Sequence, residues 1–62
     1  MLLELNKVYD ITYATRYEIN YLNSIKITKI TAKMYYLSYI DGTIFKIRQD
    51  SILESKMSTE QW

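Results

Sequence analysis

The sequence predicts an all-β protein, one small domain of about five short antiparallel strands with a single short 3-10 turn. Three observations predict it. Residues 33–48, KMYYLSYIDGTIFKIR, hold two alternating apolar runs separated by Asp41-Gly42, a pair suited to the positive-φ positions of a tight hairpin turn. Residues 5–15 and 25–31, LNKVYDITYAT and IKITKIT, alternate in the same manner and are rich in β-branched and aromatic residues, with no helical stripe fitting as well. Finally, the 62 residues contain no Pro and a single Gly, which argues against linkers and low-complexity tails, so residues 1–62 form one domain.

The hairpin organises the rest. Pairing outward from a two-residue turn sets Ile40 against Thr43, Tyr39 against Ile44 and Leu37 against Lys46. Side chains alternate across a strand, so one face carries Met34, Tyr36, Ser38, Ile40, Thr43, Phe45 and Ile47. The other carries Tyr35, Leu37, Tyr39, Ile44, Lys46 and Arg48. The first is expected to be core and the second a surface open to a partner. A four-residue loop leaves this parity unchanged; a three-residue loop with a bulge reverses it.

Taken in order, the first strand starts near Lys7 and runs to Thr15, with Tyr9, Ile11 and Tyr13 on one side. Residues 16–24, RYEINYLNS, are polar with aromatic interruptions and read as a long, partly extended loop turning at Asn23-Ser24. Arg16, Tyr17 and Tyr21 lie on it, where small barrels place recognition residues. The second strand, residues 25–31, turns at Ala32-Lys33, placing Ile25 and Ile27 inside, Lys26, Thr28 and Ile30 outside, and Lys29 inward near the rim. After the hairpin, Gln49, Asp50 and Ser51 before Ile52-Leu53 suggest one 3-10 turn with Asp50 as its cap. Residues 53–57 make the last strand. Residues 58–62 read as a frayed polar tail, although Trp62 is costly to leave in water.

Composition excludes several classes of function. There is no Cys and no His, so disulfides, thiolate zinc sites and imidazole chemistry are out of reach. The acids Glu4, Asp10, Glu18, Asp41, Asp50, Glu54 and Glu60 are scattered at spacings matching no ligand motif, so neither catalysis nor a cofactor or metal is expected. No apolar run approaches the ~20 residues that span a bilayer, so no membrane association is expected. Met1-Leu2-Leu3 is cut off by Glu4 and does not read as a signal peptide; the expected location is the cytoplasm. Net charge is only +1, yet residues 19–48 hold five cations against one acid, while the two ends together hold three cations against six acids.

The outer hairpin face carries the candidate site: Tyr35, Leu37 and Tyr39 with Ile44, beside Lys26, Lys46 and Arg48, with Arg16 and Tyr17 on the first loop. Three readings stand side by side. Tyr and Arg anchor protein interfaces, and a homodimer closed on this face is one such interface. Aromatics interleaved with cations also hold single-stranded nucleic acid or nucleotides. In the third, tyrosines simply suit a strand facing water.

Five strands, a long first loop, two tight hairpins and a helical turn before the last strand resemble the SH3-like small barrel over residues 7–57. The stretch KITKITAKMYYLSYIDGTIFKIRQDSIL is also similar to short proteins of bacteriophages infecting Gram-positive hosts of low GC content. Proline-rich peptide binding is not implied. That activity uses an acidic first loop and a Trp opening the third strand, where this chain has Glu18 alone and Met34. The expectation is a non-catalytic binding module, phage-encoded, that binds and inhibits a host defence or replication protein in the bacterial cytoplasm. The alternative is nucleic-acid or nucleotide binding through the same aromatic-basic face.

Overall fold

A computed structural model describes residues 3–62; the signal-peptide reading falls largely on Met1 and Leu2, outside the described residues. The chain is all-β. Its strands are β1 (Val8–Ala14), β2 (Ile19–Ile30), β3 (Met34–Ser38), β4 (Ile44–Arg48) and β5 (Ile52–Met57), with a 3-10 turn over Gln49–Ser51. All pair antiparallel in one sheet of order β4-β3-β2-β1-β5, which does not close, leaving β4 and β5 as edges. Among the described residues no helix is long and apolar enough to cross a membrane.

The long first loop of the sequence reading is instead strand. β2 begins at Ile19 and runs 12 residues, and only Arg16-Tyr17 turn the chain. There Thr15 stands in for the missing turn bonds. Its N–H donates to the Glu18 carbonyl at 2.8 Å and its hydroxyl accepts from the Glu18 N–H at 3.2 Å. Asn23-Ser24 form a bulge rather than a turn: the register slips between Tyr9 and Ile11, and Ser24 takes φ 54°. The Asp10 carboxylate accepts the Ser24 N–H at 2.9 Å, which supports that left-handed residue. The bulge lets one long strand bend, so its first half pairs with β1 and its second with β3.

The decisive departure lies at the β3–β4 turn. Tyr39 N–H donates to the Thr43 carbonyl at 2.9 Å and Gly42 N–H to the Tyr39 carbonyl at 3.0 Å, so the loop holds three residues, Ile40-Asp41-Gly42. Gly42 takes φ +92°, and a Cβ there would meet nothing within 4 Å, so the demand for glycine is conformational alone. The Asp41 carboxylate accepts the Thr43 N–H at 2.9 Å. That bond holds its carboxyl below the ordinary carboxylate range. With the odd loop, Leu37 pairs with Phe45 and Tyr35 with Ile47, not Leu37 with Lys46. β4 keeps its expected faces and β3 is turned over. Tyr35 (1% exposed) and Leu37 (0%) are core, and Tyr36 is outside.

Ile25 and Ile27 are fully buried as expected, for a reason the sequence reading lacked. A second bulge between Ile27 and Lys29 shifts the β2–β3 register by one, so the turned-over β3 still meets Ile27 with Leu37. The same bulge sends Lys29 outward, where it is exposed, and brings Ile30 against the core. Leu3, Tyr9, Ile11 and Ile47 complete the interior, while Val8, also fully buried, pairs with Lys26 and lies on the other side of the sheet. The segment before β1 closes one end: Leu3 N–H donates to the Tyr35 hydroxyl at 3.2 Å, and Asn6 and Lys7 exchange backbone bonds with Ile27. The tail is not frayed. Gln61 accepts the Val8 N–H and donates to the Val8 carbonyl, each at 2.8 Å, and the Trp62 indole N–H reaches the Ser24 carbonyl at 3.3 Å.

Candidate binding surface

The turned-over β3 changes which residues share the outer face of β2, β3 and β4. Residues paired across an antiparallel sheet project on the same side, which gives three rows. The first is Lys26–Ser38–Ile44, the second Lys29–Tyr36–Lys46, the third Met34–Arg48. Tyr36 is the centre of this face. The Lys29 ammonium lies 5.3 Å and the Lys46 ammonium 6.0 Å from its ring centroid. Contacts of this kind contribute ~0.5–1 kcal/mol when exposed and leave the lysines free to swing to a ligand. At the far corner the Lys26 ammonium sits 4.4 Å from the Trp62 ring centroid, so the docked tail adds a second aromatic surface.

Four of the five basic residues of the chain's middle, Lys26, Lys29, Lys46 and Arg48, therefore converge on one face. Among the described residues its one ion pair joins Arg48 to Asp50 through two hydrogen bonds of 3.1 and 3.0 Å, both side chains largely exposed. Asp50 thus serves Arg48 and not as a helix cap; the 3-10 turn has no side-chain cap bond. An exposed pair of this sort is worth at most ~1 kcal/mol and yields readily to a competing anion.

β4 also contributes backbone. The Tyr39–Thr43 and Gln49–Lys33 bonds fix the alternation of the hairpin ladder, so Phe45 and Ile47 spend their N–H and carbonyl groups on β3. By the same alternation the N–H and carbonyl groups of Ile44, Lys46 and Arg48 point to the unpaired edge. Beside that edge lies an open cleft of about 440 Å³, lined by Tyr13, Met34, Phe45 and Ile47 together with Lys46, Arg48 and Ser51.

Of the residues singled out from the sequence, Lys26, Lys46 and Arg48 do share this face. Tyr35 and Leu37 do not: both are inside, because the three-residue loop reverses their strand. Tyr39 is half-buried and stacks on Phe45 with ring centroids 5.2 Å apart. Arg16 and Tyr17 are exposed at the tip of the β1–β2 hairpin, beyond Thr15, which lines the cleft. Tyr36, Lys29 and Trp62 were missed. The signal for the first two was Gly in the third position of Ile40-Asp41-Gly42, where a three-residue hairpin loop needs its left-handed residue. No group of His, Cys, Asp and Glu side chains able to hold a metal comes together among the described residues.

No protein-family model matches the chain, and no curated protein and no solved structure matches it either.

Proposed function

We propose that the chain is a non-catalytic binding module with SH3-like barrel topology that holds an extended acidic segment of a protein partner along β4. The topology is supported by a four-strand meander, a 3-10 turn, and a fifth strand returning beside the first. The observation that carries the binding mode is the unpaired edge of β4 beside a largely apolar cleft whose lining includes Lys46 and Arg48. A strand's alternating N–H and carbonyl groups are what another strand reads. Main-chain bonds supply the affinity, the cleft takes alternate apolar side chains, and the cations select carboxylates. Charged residues on an edge also discourage indiscriminate pairing, so the same two cations that keep the protein from aggregating choose its partner. A phage protein that blocks a host defence or replication protein in the bacterial cytoplasm is the setting to which the sequence resemblance leads.

One observation favours a second reading. The Lys29–Tyr36–Lys46 row, with Lys26 against Trp62, is suited to bases stacking on rings while phosphates meet ammonium groups. Titrating ¹⁵N-labelled protein with an alternating Glu-Val peptide, and separately with oligothymidylate, distinguishes the two. The peptide is expected to slow amide exchange at Ile44, Lys46 and Arg48, and the variant K46E/R48E is expected to bind it roughly tenfold more weakly or worse. If those amides stay unprotected while oligothymidylate quenches Trp62 and shifts the Tyr36 ring, the nucleic-acid reading replaces the first.

A further inference from the structure

We infer that a second copy of this chain docks on the outer face of the β1–β2 hairpin, forming a two-fold dimer. Tyr21 (73% exposed) and Ile19, also more than half exposed, lie on one side of β2, and Tyr17 (88%) stands in the turn just before it. Leu53, the extra residue where β5 slips against Thr12 and Tyr13, adds a fourth large apolar side chain that is more than half exposed. Single exposed apolar residues are ordinary; a run of three on a projecting hairpin marks an interaction surface.

The distribution of charge along this run is what selects a second copy. Ile19 pairs with Ala14, and Tyr21 pairs with Thr12, which pairs in turn with Glu54. Arg16 and Tyr17 therefore lie about two residues to one side of the Ala14–Ile19 row, and Tyr21 and Glu54 two residues to the other. A two-fold axis lying across the strands over that row stacks the two sheets face to face with their strands antiparallel. It sets Ile19 on Ile19, Tyr17 on the partner's Tyr21, and Arg16 beside the partner's Glu54. The row of side chains is complementary to its own reverse in both shape class and sign, which is the requirement of an isologous interface. The dimer expected from the sequence used Tyr35, Leu37 and Tyr39; with the first two inside the fold and Tyr39 stacked on Phe45, this hairpin takes that role.

Sedimentation equilibrium over a concentration series tests it. The wild-type chain is expected to be dimeric, and I19S/Y21S, whose side chains are exposed and whose fold circular dichroism can verify, is expected to be monomeric. R16E and E54R are each expected to weaken the dimer roughly tenfold, and R16E/E54R together to restore it. A wild-type protein that stays monomeric throughout the series overturns the inference. So does a folded I19S/Y21S that remains dimeric, or a double charge swap no tighter than either single change. None of these outcomes bears on the β4 edge, because none of the substituted residues lines its cleft.

Discussion

Tyr35→Ala is expected to unfold the domain, while Tyr36→Ala leaves it folded. Tyr35 is 1% exposed, pairs with Ile30 and Ile47, and accepts the Leu3 N–H on its hydroxyl. Truncating a buried ring costs ~3–5 kcal/mol, and the Leu3 N–H is then left without that partner. A chain of this length has roughly 3–9 kcal/mol of stability in total, at 0.05–0.15 kcal/mol per residue. Most of it would be lost. Tyr36, one position along, lies on the outer face between two lysines, and its removal forgoes only the ~0.5–1 kcal/mol of each exposed cation–π contact. Urea melts of the two variants side by side give the comparison. On the nucleic-acid reading, Tyr36→Ala is also expected to weaken oligothymidylate binding.

Leu37→Ala is the second large effect. Leu37 is fully buried, facing Ile27 on one side and Phe45 on the other at the centre of the sheet. The loss is expected to be ~2–5 kcal/mol, as transfer free energy plus the cavity left between those two neighbours. Ile44→Ala, on the exposed outer face of β4, is expected to stay within ~0.5 kcal/mol of wild type. Both residues read as outward-facing from the sequence. Thermal denaturation of the two variants would show only one of them to be.

What was legible in the sequence follows from how locally each feature is determined. The alternation of residues 5–15 and the β-branched run of residues 25–31 are period-two signals, and they gave β1 and the second half of β2. Gln49–Ser51 formed its 3-10 turn as expected. The first half of β2 was hidden because residues 19–22 pair with β1 only as far as the bulge at Asn23-Ser24, whose polar side chains read as a turn. The bulges at Ser24 and Thr28 were hidden for a related reason. Each inserts one residue without any Gly or Pro to announce it.

The candidate face failed at a single count. Whether Ile40-Asp41-Gly42 or Asp41-Gly42 alone forms the loop decides the direction of every β3 side chain, and Asp-Gly is compatible with both. Charge was more robust than aromatics. Lys46 and Arg48 lie on β4, whose faces did not change, so the basic character of the surface survived while its expected apolar anchors moved to the core. That exchange is why the free strand edge and its cations, and not a tyrosine cluster, now carry the proposed recognition.

The register of the β3–β4 hairpin therefore decides both the core and the binding face, and a nuclear Overhauser experiment reads it directly. In this register Tyr36–Lys46 and Ser38–Ile44, like Met34–Arg48, are non-hydrogen-bonded pairs, whose Cα atoms approach to ~4.5 Å. Strong Hα–Hα cross-peaks between Tyr36 and Lys46, and between Ser38 and Ile44, are the expected result. Cross-peaks aligning Leu37 with Lys46 instead would restore the two-residue turn, return Tyr35 and Leu37 to the surface, and contradict the three-residue loop on which the proposed binding face depends.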